Sequence, residues 1–410
     1  MPNSLTITAK QAEYVREAHH RWNFAVGAVR SGKSHIAIQY VIPNGILSLR
    51  GRKGLNLILG ASKENIERNV LAPMRDIWGD RVVSEINSRN IAKLFGERVY
   101  CLGAENKSQV SKIRGSEVKF CYCDEVCDIH PEVFEMLKSR LSLPYSQCHA
   151  ACNPAGPEHF VKKFIDSAGG GIDIYVQNYQ LWDNPFLSQE FVSSLEAEYE
   201  GTVYYDRYIL GLWTKAEGLV YPMYAEAFEE GFDMGQAIDW CVSCDYGTQN
   251  AFAALKWAFD GQAWHCVEEY RYSGRDEGHQ KTNDDYMADM VEFCRDIPKD
   301  VVTFIIDPSA VSFSVTLRRC KERRFKILPA DNAVADGLQD TAVAIKRGLI
   351  RLDKSCVETK KEFVGYVWDE KSESDKPVKE NDHCMDALRY FVKTKRLVVK
   401  KQHQRDSWLS

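Results

Sequence analysis

Short apolar segments alternate with amphipathic segments along the first half of the chain. Apolar runs of four or five residues predict β-strands over 23–26, 55–59, 99–102, 120–123 and 149–152. Segments with apolar residues at helical spacing lie between them, and a strand–helix alternation of this kind is typical of a parallel sheet. We therefore predict an α/β domain with a doubly wound parallel sheet over residues 1–215.

The pattern changes after residue 215. A segment that contains Gly218, Pro222 and several aromatic residues predicts a linker over 216–232. Three closely spaced apolar runs, over 240–244, 251–259 and 263–270, then predict an antiparallel meander that opens a mixed sheet. Helices over 284–294 and 381–394, with strands over 301–306 and 325–328, complete a predicted second domain over 233–397. A basic tail over 398–410 follows.

Composition supports a folded protein of about two domains. The chain has 410 residues, of which 44% are hydrophobic and 27% charged. Its net charge of −5 excludes a strongly basic protein but not a local basic groove for nucleic acid. The sequence has no apolar run long enough for a membrane span and no apolar segment typical of a signal peptide. We therefore expect the thirteen cysteines to be reduced thiols in a cytosol.

Residues 27–34, with the sequence GAVRSGKS, match the phosphate-loop pattern G-x-x-x-x-G-K-[ST]. The preceding run is apolar and the following one is helix-like, so backbone N–H groups at a helix N-terminus would surround phosphate oxygens. Lys33 would contact the phosphates and Ser34 would bind Mg²⁺. The alternative is a glycine-rich turn with an incidental lysine. The nucleotide-binding residues predicted in the loop are Gly27, Arg30, Ser31, Gly32, Lys33 and Ser34.

An acidic pair, Asp124 and Glu125, follows the apolar run 120–123. Asp124 would hold Mg²⁺ through water, and Glu125 would orient and polarise the water that attacks the γ-phosphate. Both could instead be ordinary loop acids. Cys121, Cys123 and Cys127 lie nearby, but because no second cysteine pair is close in sequence we interpret them as buried small residues rather than zinc ligands.

Two arginines are candidates for stabilising the charge that is transferred during hydrolysis. Arg30 lies inside the loop and could act on its own site, whereas Arg140 could reach the site of a neighbouring subunit. Each could equally form a surface ion pair.

The second half offers an acidic triad. Asp245 and Asp307 each end an apolar run, and Asp386 lies in the last predicted helix. Such carboxylates converge at one sheet edge, where two Mg²⁺ or Mn²⁺ ions about 3.5–4 Å apart would activate water and stabilise a leaving oxygen. His383 and Asp382 share a helical face with Asp386 and are further candidate ligands. The alternative is that each aspartate is a turn residue.

Two adjacent acids, Glu268 and Glu269, end another predicted strand. They are possible additional ligands, although solvent exposure is the simpler interpretation.

In order along the chain, GAVRSGKS, FCYCDEV, HAACNPAGPEHF, YQLWDNPFLS and LGLWTKAEGLVYP, followed by the acidic triad, resemble the large terminase subunit of tailed bacteriophages. The resemblance implies an N-terminal P-loop ATPase that drives DNA into a procapsid and a C-terminal ribonuclease-H-like mixed α/β nuclease that cuts concatemeric DNA. It also implies that Cys152-Asn153-Pro154 couples hydrolysis to movement, with Cys152 where the family usually has Thr or Ser. Gln11 would read adenine.

The same resemblance implies the partners: double-stranded DNA, a small terminase subunit, the portal protein and further copies in a homo-oligomeric ring, a pentamer when packaging. The expected location is the host cell cytoplasm, with transient docking on the portal and absence from the mature virion. The basic tail would be either a solvated end or a contact to DNA phosphates or the portal.

Two other functions are compatible with parts of the sequence. A cellular repair helicase-nuclease would need further helicase motifs between the domains, and we find none. A regulatory P-loop ATPase with a non-catalytic C-terminal binding module would not cut DNA.

Overall fold

A computed structural model describes residues 7–109, 113–168, 170–247, 251–372 and 375–398. Its contacts divide the chain into two compact units, 1–194 with 203–215 and 195–202 with 216–410. The predicted basic tail lies outside the described residues, apart from Val398. In the described part of the chain, no helix combines the length and apolar character needed to cross a bilayer.

The first unit is built on a seven-stranded sheet with the order β3-β4-β2-β5-β6-β1-β7. All neighbouring strands are parallel except the β3–β4 pair. The strands are β1 (Trp22–Gly27), β2 (Leu55–Gly60), β3 (Ile91–Leu94), β4 (Glu97–Gly103), β5 (Val118–Cys123), β6 (Gln147–Cys152) and β7 (Ile174–Tyr179). The sequence did not predict β3 and β7, which are the two edge strands of this sheet.

Helices cover both faces of this sheet. One apolar core packs Phe134 and Phe164 against Cys121 of β5, and the other packs Ile42 and Ile66 against Tyr122. Successive residues of a strand face opposite sides, so β5 contributes to both cores. In the described residues, the helices of this unit are Ala9–Glu17, Lys33–Ile36, Ile42–Ser48, Lys63–Ile66, Ala72–Trp78, Pro131–Arg140, Phe160–Asp166 and Val203–Tyr205. A further helix, Gln189–Tyr199, begins in this unit and ends in residues that are grouped with the second unit. The predicted doubly wound parallel sheet is confirmed.

π-Helical turns interrupt two of the long helical segments. They span Ala37–Val41 and Glu67–Leu71, and each precedes a helix with proline near its start, Pro43 or Pro73. Proline has no N–H to donate, so it interrupts the helical hydrogen-bond ladder. A third π turn spans Asp206–Leu210.

The second unit contains a mixed seven-stranded sheet with the order β13-β12-β9-β10-β11-β14-β8. Strand β10 is antiparallel to both β9 and β11, which confirms the predicted meander, and the other pairs are parallel. The strands are β8 (Phe228–Glu229), β9 (Asp239–Asp245), β10 (Phe252–Phe259), β11 (Trp264–Tyr272), β12 (Val301–Ile306), β13 (Arg324–Pro329) and β14 (Ile350–Asp353).

Five helices accompany this sheet in the described residues: Asn283–Phe293, Val311–Arg319, Val334–Lys346, Val357–Gly365 and His383–Thr394. The last helix is buried along most of its length, including Leu388 and Phe391. Strand β8 lies within the segment 216–232, where the sequence predicts a linker, and it pairs with β14. The exact domain boundaries remain predictions.

Candidate functional site

The phosphate loop connects β1 to the helix that begins at Lys33. Its backbone has positive φ at Gly27 (146°), Arg30 (57°) and Gly32 (94°). A Cβ at Gly27 would lie 1.9 Å from the carbonyl oxygen of Tyr179, so only glycine fits there. The loop therefore folds as the glycine pattern predicts, with a helix N-terminus at its end.

The ammonium group of Lys33 is buried at the centre of this loop. It donates hydrogen bonds to the carbonyl oxygens of Gly27 (2.9 Å) and Ala28 (2.6 Å) and to Oδ1 of Asn153 (3.1 Å). Burial lowers the pKa of Lys33, and the negative charge of Glu125 opposes this shift. The structure therefore joins the phosphate loop to the end of β6, where the family resemblance predicts a coupling motif.

Two other segments hold the loop from outside. The side-chain amide of Gln11 donates to the carbonyl oxygen of Gly32 (3.0 Å), and its Oε1 accepts from the backbone N–H of Thr8 (2.9 Å). Asn184 donates from Nδ2 to the carbonyl oxygen of Arg30 (2.7 Å). Gln11 thus positions the loop in this structure, and its reading of adenine stays a prediction. Asn184 lies in a motif that carried the resemblance, but no spacing in the sequence indicated its contact with the loop.

The two hydroxyl groups of the loop differ in environment. Ser31 is buried and donates from Oγ to the carbonyl oxygen of Ala28 (2.8 Å), so it stabilises the loop itself. Ser34 is exposed in the first turn of the following helix, where a hydroxyl is available for the predicted Mg²⁺ contact.

The acidic pair follows β5 at the same carboxyl edge of the sheet. Asp124 is 6% exposed, and burial raises its pKa to about 6, although the hydroxyl of Tyr122 donates to it at 3.4 Å. Glu125 has left-handed backbone dihedrals (φ 49°, ψ 62°), which are strained for a residue with a side chain, and strained residues cluster at functional sites. Strand β6 lies between β5 and β1, so Asn153 follows the strand that separates the acidic pair from the loop.

Arg140 lies elsewhere. It ends the Pro131–Arg140 helix, which returns from the carboxyl end of β5 toward the start of β6. The next residue, Leu141, accepts a hydrogen bond through its carbonyl oxygen from Arg21, which directly precedes β1. Arg140 is therefore at the amino edge of the sheet, opposite Lys33, and does not contribute to the site of its own chain. Its action on a neighbouring subunit stays a prediction, as does the role of Arg30.

Three cysteines meet in the core of the first unit. The Sγ atoms of Cys121 and Cys123 lie 3.7 Å apart, and those of Cys123 and Cys148 lie 3.9 Å apart. Cys148 was not among the cysteines considered from the sequence. All three side chains are fully buried in apolar surroundings, which supports their interpretation as small core residues.

Asp245 and Asp307 lie at the same edge of the second sheet. Cys244 of β9 pairs with Ile306 of the parallel strand β12, so the two aspartates that follow occupy neighbouring positions. The last helix adds His383, whose Nδ1 lies 2.8 Å from Oδ2 of Asp245. The structure thus brings together acids from three separate parts of the sequence, as predicted for Asp245, Asp307 and Asp386.

The electrostatics of this acidic cluster show mutual repulsion. Burial raises the pKa of Asp245, the charges of Asp386 and Asp307 raise it further, and the hydrogen bond with His383 opposes them. Burial also raises the pKa of Asp382, with Asp386 adding to the shift. The hydrogen bond to Asp245 in turn raises the pKa of His383. Carboxylates crowded in this way favour a bound cation.

Hydrogen bonds fix the other two acids. Asp307 accepts from the backbone N–H of Ser309 (2.7 Å) and from Nδ2 of Asn332 (3.1 Å). Asp386 accepts from Nη2 of Arg389 (2.7 Å), and Arg389 also donates to the carbonyl oxygen of Asn332 (2.8 Å). Arg389 and Asn332 therefore connect Asp386 to Asp307. Neither residue was predicted from the sequence, although the i, i+3 spacing of Asp386 and Arg389 is a signal for the ion pair.

The donor set fits divalent cations that prefer oxygen ligands, such as Mg²⁺ and Mn²⁺. In the described residues, the Sγ atoms of Cys121, Cys123 and Cys148 lie within 4.8 Å of one another, whereas no three candidate ligand atoms of the acidic cluster are that close. The acidic cluster is therefore more open. An open cluster is compatible with two cations, because ions about 3.5–4 Å apart use ligands on opposite sides of the pair.

Glu268 and Glu269 have structural partners. Glu268 forms an ion pair with the buried Lys256. Glu269 accepts from the backbone N–H groups of Glu358 (2.7 Å) and Thr359 (2.8 Å). Neither is an additional ligand in this arrangement.

The chain is similar to proteins of known family and structure. Residues 74–228 match the family model of the N-terminal part of the terminase large subunit of T4-like-virus type. No curated protein matched.

The large terminase of a thermophilic bacteriophage is a similar solved structure, with 31% identity, coverage of 95% of this chain and 99% of that one, and a TM-score of 0.84. Structures of the same phage protein in complex with ADP and with ATP-γ-S, also 31% identical, have TM-scores of 0.83 and 0.82. The match to the ADP complex covers 95% of this chain and 99% of that chain, and the match to the ATP-γ-S complex covers 94% of this chain and 98% of that chain. Because this identity extends over nearly the full length of both chains, the chain belongs to the large terminase family.

Proposed function

We propose that this chain is a viral DNA-packaging motor subunit, in which ATP hydrolysis moves double-stranded DNA into a procapsid and a nuclease cuts concatemeric DNA to start and end packaging. The observation that carries the proposal is that each sheet has a reactive cluster at the carboxyl ends of neighbouring parallel strands. In the first unit this cluster is the phosphate loop with Asp124 and Glu125, and in the second it is the acidic cluster. Membership of the large terminase family supports both activities.

In the ATPase, Lys33 binds the β- and γ-phosphates of ATP, and Ser34 and Asp124 hold Mg²⁺. Glu125 orients the attacking water and accepts its proton. The contact between Lys33 and Asn153 supports the assignment of Asn153 as the residue that senses hydrolysis and transmits it to β6. The transferred charge is stabilised either by Arg30 from within the loop or by Arg140 of a neighbouring subunit.

In the nuclease, Asp245, Asp307 and Asp386 bind two divalent cations. Mg²⁺ or Mn²⁺ bound there supplies an activated water and stabilises the leaving 3′-oxygen. His383 fixes the orientation of the Asp245 carboxylate through its 2.8 Å contact and holds a proton beside it. Arg389 holds the Asp386 carboxylate in place, because its buried guanidinium donates to that carboxylate.

The partners follow from this function. A small terminase subunit brings the chain to DNA, the portal protein of the procapsid receives it, and copies of the chain form a pentameric ring during packaging. The chain acts in the host cell cytoplasm and leaves the capsid before the virion matures.

Three assays of the purified wild-type chain test the proposal. We expect phosphate release from ATP with Mg²⁺ and cleavage of supercoiled plasmid with Mn²⁺, both abolished by EDTA, without separation of the strands of a short duplex. ATP-dependent strand separation would instead indicate a helicase-nuclease. Phosphate release without any plasmid cleavage would indicate a regulatory ATPase with a non-catalytic second unit.

A further inference from the structure

The helix His383–Thr394 is capped by a residue from another helix. Its own N-cap residue, Asp382, makes no side-chain capping hydrogen bond. Instead, Oε2 of Glu362 accepts from the backbone N–H groups of Cys384 (2.6 Å) and Met385 (3.2 Å). Glu362 thus occupies the position in which a capping carboxylate satisfies the first-turn N–H groups and the positive end of the helix dipole.

Water has little access to these N–H groups. Cys384 is 0% exposed and Met385 1% exposed, and Glu362 itself is only 5% exposed. Buried N–H groups need a partner within the protein, so the position of the helix start depends on Glu362. The same arrangement frees the carboxylate of Asp382, which remains beside Asp386.

The capped turn is the one that carries site residues. His383 is the first residue of the helix and lies 2.8 Å from Asp245, and Asp386 follows one turn later. A shift of the helix start would therefore move both side chains relative to the carboxylate on β9.

Glu362 is itself held in place by the sheet. Its helix, Val357–Gly365, is capped by Glu269 of β11, which accepts from the N–H groups of Glu358 and Thr359 and from the Thr359 hydroxyl (2.7 Å). Nε of Arg271, also on β11, lies 3.8 Å from Oε1 of Glu362. Two capping glutamates in series thus connect β11 to the helix of the acidic cluster.

We propose that Glu362 is a positioning residue of the nuclease site, which sets the cation affinity of the acidic cluster by fixing the start of the helix that carries His383 and Asp386. This inference rests on the proposed nuclease function. Loss of a partner that orients metal ligands typically lowers metal affinity or activity about 10- to 100-fold.

The test compares three variants of Glu362 and two reference variants, Asp260→Ala and Asp245→Asn, all in the full chain. Glu362→Ala removes the cap, Glu362→Gln keeps one acceptor oxygen, and Glu362→Asp keeps the charge but withdraws it by one methylene. Asp260→Ala is the matched control: one oxygen of Asp260 also accepts two backbone N–H groups, at 2.7 and 2.8 Å, but in the β10–β11 hairpin at the opposite edge of the sheet. Mn²⁺ binding is measured directly by titration. The Mn²⁺ binding that the wild type shows and Asp245→Asn lacks is assigned to the acidic cluster. Plasmid cleavage, ATP hydrolysis and thermal melting are measured in parallel.

We expect Glu362→Ala to raise the Mn²⁺ concentration for half-saturation about 10- to 100-fold, Glu362→Asp to raise it less, and Glu362→Gln to remain near wild type. ATP hydrolysis should not change, and Asp260→Ala should lower only the melting temperature. If Glu362→Ala does not fold, the Mn²⁺ affinities of Glu362→Asp and Glu362→Gln test the inference, because a weaker affinity is expected for the first and a wild-type affinity for the second.

Three results would overturn the inference: wild-type Mn²⁺ affinity in Glu362→Asp or Glu362→Ala, an equal loss in Glu362→Gln, or an equal loss in Asp260→Ala. A wild-type chain without Asp245-dependent Mn²⁺ binding would overturn the proposed nuclease function together with this inference. Asp245-dependent binding that is insensitive to Glu362 would overturn the inference alone.

Discussion

The contact between Asn153 and Lys33 leads to a quantitative prediction for Asn153→Ala. The substitution removes the 3.1 Å bond from the ammonium group but leaves the bonds to the carbonyl oxygens of Gly27 and Ala28. A hydrogen bond to a charged group contributes about 1.5–3 kcal/mol, which corresponds to about 10- to 100-fold in a rate. Asn153 is half-buried, so water replaces part of the bond, and we expect a loss of about tenfold in the kcat of ATP hydrolysis.

The assay is steady-state phosphate release, with kcat and KM determined separately and thermal melting as a check of folding. Asn184→Ala is the matched control, because it removes a bond to a neutral acceptor of the same loop, the carbonyl oxygen of Arg30. Such a bond contributes only about 0.5–1.5 kcal/mol, so the control should lose less. A kcat within twofold of wild type for Asn153→Ala, or a larger loss for Asn184→Ala, would refute the reasoning.

Three further predictions concern other parts of the molecule. Glu125→Gln should lower ATP turnover about 10²- to 10⁴-fold while a fluorescent ATP analogue still binds, because the variant loses only the base; loss of binding would make Glu125 structural. Asp307→Asn and Asp386→Asn should each reduce plasmid cleavage in Mn²⁺ by orders of magnitude with ATP hydrolysis unchanged, and normal cutting by either folded variant would remove that residue from the site. Burial lowers the pKa of His149 to about 3, so between about pH 6 and pH 4 the unfolded chain binds a proton that the folded chain does not. As the pH falls through this range, the free energy of unfolding of the wild type should decrease by up to about 1.4 kcal/mol per pH unit relative to that of His149→Gln. Denaturant titrations measure this difference, and parallel pH profiles of the two proteins would contradict it.

The reactive motifs were predictable because their chemistry is local in sequence. The phosphate loop has its two glycines and Lys33 within seven residues, and the acidic pair follows directly after an apolar strand. Asp245 and Asp307 are separated by some sixty residues, but each ends a strand, and parallel strands end at a common edge. Strand endings in an α/β pattern therefore predict where these two acids meet.

The supporting contacts were not predictable for a physical reason. Glu362 acts through backbone N–H groups of another helix, so its role depends on helix packing rather than on any spacing in the sequence. Gln11 likewise reaches Gly32 only after the first helix has packed beside the loop. The edge strands β3 and β7 were missed because β3 has only four residues and β7 mixes polar with apolar positions.

We propose two separate active sites on one chain, and measuring ATP hydrolysis and plasmid cleavage side by side for Lys33→Ala and Asp245→Asn tests this directly. Lys33→Ala removes the charge on the phosphates, so it should abolish hydrolysis and leave cleavage in Mn²⁺ largely intact. Asp245→Asn removes a cation ligand, so it should lower cleavage by orders of magnitude and leave hydrolysis intact. A folded Asp245→Asn protein that cuts normally, or a Lys33→Ala protein that hydrolyses ATP at the wild-type rate, would contradict the account.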